Sequence, residues 1–128
     1  MKKKDILELN KQLFKHYNSY TYFDNKNVLK SRKPTDTLIS KIILGTLGCS
    51  PAFDRYFNDG VKKHNFSFTA FSDKNFNEIF NFVDNNKSEF LKLQSELMLS
   101  QGLHYPLLKL VDIYFWHEGF SLETKNTI

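Results

Sequence analysis

The stretch that decides the fold is TDTLISKIILGTLGCSPAFDRYF, residues 35–57. Thr35 or Asp36 can accept hydrogen bonds from the first free amides of a helix, and apolar side chains then cover most of that helix as far as Leu44. The glycines that follow predict its end. Ser50-Pro51 predicts the start of a second helix, because proline suits the first helical position. The stretch is therefore expected to form a helix, a glycine turn and another helix.

A second apolar stretch, YPLLKLVDIYFW, occupies residues 105–116. It predicts a last helix from Pro106 to about Glu118, with Gly119 as its C-terminal stop. The apolar side chains of this helix are distributed around its whole circumference. Such a helix is typical of the centre of a bundle.

The segments around these two stretches are less apolar. Residues 5–17 carry apolar side chains at spacings of three and four and predict an amphipathic helix. Residues 18–33 lack a sustained period and predict a loop with room for a short turn. Residues 64–71 predict a loop held by its phenylalanines.

Residues 72–99 predict either one long helix or two helices. Asp84-Asn85-Asn86 favours a break, whereas apolar residues seven apart favour continuity. The side chains expected to face inward in the second half are Phe90, Leu93, Leu97 and Met98. The fold class that follows is all-α: a compact single-domain bundle of about five to six helices around a buried C-terminal helix. Residues 1–120 form the expected domain, and residues 121–128 form a flexible C-terminal tail.

Composition favours a cytoplasmic protein. The 128 residues include one cysteine, Cys49, so an internal disulfide and a thiolate zinc site of the four-ligand kind are excluded. The start of the chain lacks the apolar run of a signal peptide, and no stretch is long enough to span a membrane. We therefore expect a soluble chain in a reducing compartment, with no membrane partner.

We single out four of the charged residues in the two apolar stretches: Lys41, Asp54, Arg55 and Asp112. A buried charge is costly unless it is paired, so these residues are the first candidates for a site. One interpretation is structural, with cations and aspartates pairing to lock the helices or pointing to solvent. The other is a pocket in which the cations hold an anionic ligand and the aspartates orient them.

Catalytic and metal sites receive little support. The four histidines are scattered, no HExxH motif occurs, and the glycines are not followed by the Lys-Ser/Thr pair of a phosphate-binding loop. Cys49 lies just before a predicted helix start, where a thiol pKa can be lowered, but it has no assignable histidine partner. We therefore predict no catalytic residue, no metal and no cofactor.

The loop at residues 18–33 combines aromatic and basic side chains. Tyrosines and lysines in this pattern can stack unpaired bases beside a cationic track, although the same rings could simply pack the loop onto the bundle. The chain has only two arginines and a net charge of +4, which disfavours sequence-specific DNA reading. The candidates for contact with RNA or single-stranded DNA are Tyr20, Tyr22, Lys26, Lys30, Arg32 and Lys33.

The stretches TDTLISKIILGTLGCSPAFDRYF and YPLLKLVDIYFW resemble two motifs of an uncharacterised bacterial protein family, in the same order and at similar spacing. Members of that family are longer at the N-terminus, where this chain lacks that part or has residues 1–33 in its place. The resemblance implies one shared helical fold and singles out the same four charged residues. The family has no established activity, so the resemblance implies no reaction.

These observations lead to three functional hypotheses. The first is a non-enzymatic protein that binds a host protein or ribonucleoprotein, as a phage or mobile-element inhibitor of a nucleic-acid-processing complex. The second is direct binding of RNA or single-stranded DNA by the basic N-terminal third. The third is an enzyme or small-ligand protein that uses the pocket of Lys41, Asp54, Arg55 and Asp112.

Overall fold

The computed structural model of the protein describes residues 2–31 and 33–126. These residues form six helices and one small antiparallel hairpin, which confirms the all-α prediction. In chain order the elements are α1 (Lys3–Asn18), β1 (Thr21–Phe23), β2 (Leu29–Ser31), α2 (Asp36–Thr46), α3 (Arg55–Lys63), α4 (Asp73–Asn85), α5 (Lys87–Gln101) and α6 (Leu107–Asn126).

The core is built from phenylalanines. Phe57 and Phe115 are fully buried and meet edge to face, with ring centroids 5.7 Å apart. Phe68 lies in the loop between α3 and α4 and contacts both of these rings. The loop predicted over residues 64–71 is therefore fixed to the core by its aromatic side chains.

The last helix pairs closely with α3, as expected for the organising element of the bundle. At the crossing, Gly60 and Gly119 leave no space for a Cβ atom: one placed on Gly60 would collide with the Phe115 carbonyl, and one on Gly119 with the Tyr56 carbonyl. Gly119 therefore permits a close backbone approach and does not end the helix. The prediction that α6 stops at Gly119 is wrong, and the helix runs through the first six residues of the predicted tail to Asn126.

The connection between α2 and α3 also differs from the prediction. Thr35 caps α2 by accepting the Leu38 amide at 3.1 Å, as its position predicts. The second helix, however, begins at Arg55 and not at Ser50-Pro51. Asp54 is its N-cap, because the Asp54 carboxylate accepts the Phe57 amide at 2.9 Å. Residues 49–54 form a non-helical connector instead.

The structure settles one open point and corrects one prediction. Residues 72–99 form two helices, since helical geometry is lost at Asn86, whose side chain donates to the Phe82 carbonyl at 2.8 Å. Residues 18–33, predicted as a loop, contain the hairpin of β1 and β2, with Tyr22 paired opposite Lys30. The strands are three residues long and exposed on both faces, so they carry no alternating pattern that a sequence could reveal.

Candidate functional site

The connector at residues 49–54 is held by side chains from two helices. The Asp112 carboxylate of α6 accepts the Ala52 amide at 2.9 Å. The buried Ser40 hydroxyl of α2 accepts the Phe53 amide at 2.8 Å, and the Thr37 hydroxyl donates to the Phe53 carbonyl at 2.7 Å. Polar residues of both apolar stretches therefore satisfy the backbone of one non-helical segment.

Asp112 bears a charge in an environment that disfavours it. Burial raises the pKa of this carboxyl to about 6, and the nearby negative charge of Asp54 adds to the effect. The Ala52 amide, Lys109 and Lys41 oppose the rise but do not cancel it. The group is thus ionised at neutral pH and gains a proton in mild acid.

The four charged candidates do not surround one cavity. Asp54 and Asp112 hold backbone amides, and Lys41 is exposed on α2. The Arg55 guanidinium lies on the outer surface, 3.4 Å from the Glu123 carboxylate and 4.0 Å from that of Asp59. None of the four lines either of the two grooves described below.

The nucleic-acid candidates lie on and beside the hairpin, except Arg32, which falls outside the described residues. Asp24 organises the hairpin turn, since its carboxylate accepts the amides of Lys26 and Val28 at 2.8 and 2.9 Å. The same carboxylate pairs with the Lys30 ammonium at 3.1 Å. The hydrogen bond from the Val28 amide, and then the one from Lys30, hold the Asp24 pKa below its ordinary value. Lys30 is thus partly neutralised.

A groove of about 400 Å³ brings three of these candidates together. Tyr20, Tyr22 and Lys33 line it with Tyr17 of α1 and the first residues of α2. Tyr20 packs against His16 and Tyr17 of α1, with ring centroids 5.2 and 5.7 Å apart, and so attaches the start of the hairpin to the bundle. Tyr20 and Tyr22 are nevertheless 55% and 44% exposed. We call this feature the tyrosine groove.

A larger groove of about 660 Å³ runs between α5 and α6, and sequence reasoning missed it. We call it the helix groove. Its floor is apolar and its rim is polar. It is lined by Phe82, Asn86, Glu89, Phe90, Leu93, Leu97, Gln101, Tyr105, Leu110, Ile113, Tyr114, His117 and Glu118.

The helix groove exists because α5 buries little of its apolar surface. Phe90 is buried, but Leu93 and Met98, which were predicted to face inward, are exposed at 40% and 51%. Ile113 and Tyr114 of the facing helix are also exposed, although α6 was expected to be covered on all sides. The sequence did contain a sign of this groove, because leucines are spread around α5. A helix that packs by one face needs only one apolar stripe, so the other leucines are left exposed.

A charged network borders one end of the helix groove. The Glu118 carboxylate contacts the Lys63 ammonium at 2.5 Å and His64 Nε2 at 3.6 Å, and the Lys63 hydrogen bond lowers the Glu118 pKa. The Tyr114 hydroxyl lies 3.5 Å from the same His64 nitrogen. Within residues 2–31 and 33–126, no group of three or more His, Cys, Asp or Glu is arranged to hold a metal ion.

Cys49 does not lie at a helix N-terminus, although its position in the sequence suggested one that would lower the pKa of the thiol. The nearest following helix begins six residues later, at Arg55, so no helix N-terminus faces the thiol directly. Burial raises its pKa above the ordinary value. The thiol is therefore held mainly in its less reactive protonated form.

In comparisons with known proteins, no protein-family model, no curated protein and no solved structure matches the chain. The resemblance of the two apolar stretches to an uncharacterised family stays a prediction. Among the helices of the described residues, none has the length and apolar character needed to cross a membrane.

Proposed function

We propose that this chain is a non-enzymatic binding protein that takes an amphipathic helix of a partner protein into the helix groove. The observation that carries the proposal is the open apolar floor between α5 and α6. The groove has a volume of about 660 Å³. Exposed apolar surface bordered by polar residues is typical of interaction sites.

The shape of the groove favours a helix as the ligand. Leu93 and Leu97 lie on one face of α5, one helical turn apart, and Ile113 and Tyr114 face them from α6. An amphipathic helix presents apolar side chains at the same spacing, so its stripe can contact both walls at once. The polar rim at Asn86, Glu89 and Gln101 can then meet the polar edges of that helix.

The partner we propose is a host protein or ribonucleoprotein, with inhibition of a nucleic-acid-processing complex as the biological role. The support for this role is indirect: the chain's Lys, Asn, Ile and Phe content fits an AT-rich phage or mobile element. The anion-pocket alternative gains no such support, because Asp54 and Asp112 are engaged by backbone amides and Arg55 lies elsewhere.

The proposal is tested by capturing the partner from the native host, purifying it and measuring its affinity for variants of this chain. Leu93→Glu places a charge on the apolar floor and should weaken binding at least about tenfold, as expected for a central interface residue. Leu47→Glu is the matched control, since Leu47 is 50% exposed at the C-terminal end of α2, away from the groove. A peptide with the partner's helix should compete.

Three outcomes would contradict the proposal. Leu93→Glu could bind as tightly as the original chain, which would place the interface elsewhere. Sedimentation could show a homodimer that Leu93→Glu dissolves, which would make a second copy the occupant. The purified chain could also release product from a broad substrate panel, and it would then be an enzyme.

A further inference from the structure

The tyrosine groove is not used by the proposed helix-binding function, and it has its own chemical character. Tyr17, Tyr20 and Tyr22 supply aromatic walls, and Lys33 supplies a cation at the same groove. Lys33 forms no ion pair with another of the residues that the structure describes. Its ammonium therefore remains available to an anionic ligand.

Positive charge is concentrated around this groove. Residues 11–33 contain six lysines and arginines but only one acidic residue, Asp24. Residues 34–128 contain nine basic and eleven acidic residues. The net charge of +4 therefore comes from the segment that forms the end of α1 and the hairpin. A ligand with regularly spaced negative charges complements this segment and not the rest of the surface.

The rings are held in place before any ligand binds. The Tyr20 hydroxyl lies 3.2 Å from His16 Nε2, and the two rings meet edge to face at 5.2 Å. Tyr17 and Tyr20 lie 5.7 Å apart with a 41° tilt. Because the aromatic walls are already oriented, a stacking ligand loses less entropy on binding.

The hairpin places a lysine beside the rings of the groove. Lys30 is paired opposite Tyr22, so the two side chains lie on the same face of the hairpin. Exposed aromatic rings alternating with lysines can contact successive bases and phosphates of one strand. A duplex hides its bases in the stack and cannot use the rings in this way.

From this combination we infer that the tyrosine groove and the hairpin bind single-stranded nucleic acid, with bases stacked on Tyr20 and Tyr22 and a phosphate at Lys33. RNA and DNA share this chemistry. The groove volume of about 400 Å³ is the size of site that takes a small organic group, so it suits a nucleobase with its sugar better than a folded helix.

The experiment is fluorescence anisotropy with labelled oligouridylate and oligodeoxyuridylate of about 10 nucleotides, which differ only in the sugar and have a length within the site sizes of such proteins. At 50 mM salt we expect dissociation constants of about 1–100 µM. With phosphates near Lys26, Lys30 and Lys33, affinity should fall about 20-fold between 50 and 200 mM salt. Preference for one oligonucleotide identifies RNA or DNA as the ligand, and equal affinity for the two means that the sugar is not recognised; each result sustains the site.

Variants separate stacking from general charge attraction. Tyr20→Ala and Tyr22→Ala should each weaken binding about 5-fold to 150-fold, whereas Tyr22→Phe, which keeps the ring, should stay within about twofold. Lys33→Glu should weaken binding and make it less dependent on salt. Lys92→Glu makes the same charge change on exposed α5 and should have little effect. Far-ultraviolet circular dichroism confirms that each variant is folded.

The inference fails if neither oligonucleotide binds at 100 µM protein and 50 mM salt, the weak limit expected for non-specific binding of about 10⁻⁴ M. It also fails if the folded Tyr20→Ala and Tyr22→Ala variants bind as the original does, because stacking would then play no part. A third contrary result is an equal loss with Lys33→Glu and Lys92→Glu, which would show attraction to total charge and no site.

Discussion

Replacing Asp112 by asparagine should stabilise the protein at neutral pH. The carboxylate accepts the Ala52 amide, and an asparagine side-chain carbonyl can accept the same hydrogen bond. The substitution therefore keeps the contact that fixes the connector to α6. What it removes is a negative charge that is partly buried and close to Asp54.

The magnitude follows from the pKa of Asp112. A rise from 3.8 to about 6 corresponds to about 3 kcal/mol of disfavour for the ionised carboxyl in the folded state. Asp112 keeps part of its contact with solvent, which screens the charge. The amide oxygen is also a weaker acceptor than the carboxylate. We expect a net gain of about 1–2 kcal/mol at pH 7.

The stability gained by Asp112→Asn should decrease as the pH falls. The folded pKa of Asp112 lies above the unfolded one, so the folded protein binds this proton more tightly. The penalty is fully present above about pH 6 and disappears as the pH falls towards 4. The advantage of Asp112→Asn over the original chain should therefore shrink steadily from pH 7 to pH 4.

Urea unfolding followed by circular dichroism at pH 4.5, 5.5, 6.5 and 7.5 measures this difference. Asp112→Ala serves as the partner variant, because it removes both the charge and the acceptor and leaves the Ala52 amide unpaired. It should be about 1–3 kcal/mol less stable than Asp112→Asn. The reasoning is refuted if asparagine destabilises the protein at pH 7, or if its effect is the same at all four pH values.

Three further outcomes are expected. In thermal melts, Gly119→Ala should destabilise the protein by about 3 kcal/mol or more, because the new methyl group meets the Tyr56 carbonyl. Gly45→Ala is the control: the space around Gly45 is open, so this substitution should be neutral or stabilising by up to about 1 kcal/mol. Ser40→Ala should cost about 1–3 kcal/mol in urea unfolding by leaving the Phe53 amide without its acceptor, and an unchanged midpoint would contradict that hydrogen bond. Cys49 should react with iodoacetamide at pH 7.5 more slowly than an unfolded control, since burial raises its pKa.

Local signals in the sequence predicted much of the fold. The Thr35 cap of α2 depends on neighbouring residues, and the structure agrees with it. The break near Asn86 was one of two alternatives that the sequence left open. Gly119 shows where such reasoning ends. A glycine after an apolar helix is a typical stop signal, but here its role depends on α3 crossing at that point, which no local pattern reveals.

The start of α3 was mispredicted for a similar reason. Ser50-Pro51 is a good helix start by local rules, yet the next backbone groups bond to Ser40 and Asp112 from elsewhere in the chain. These tertiary hydrogen bonds hold residues 49–54 out of a helix. Charge patterns identified Asp112 as unusual but did not reveal its amide partner, because a side chain and a backbone group 60 residues apart meet only in the folded protein.

The helix groove could not be predicted from the sequence, although its residues could be named. Leu93 and Ile113 are each typical core residues, and only the loose packing of α5 on α6 leaves them exposed. The tyrosine groove was partly predictable, since aromatic and basic residues already cluster in residues 18–33. The hairpin that arranges them was not.

The central claim is that the helix groove is the partner-binding surface. The most direct measurement is amide hydrogen exchange of the full chain with and without its purified partner. Protection should increase in α5 around Leu93 and in α6 around Ile113, while α2 near Leu47 should be unchanged. Protection confined to other elements, with exchange in α5 and α6 unaltered in the complex, would contradict the claim.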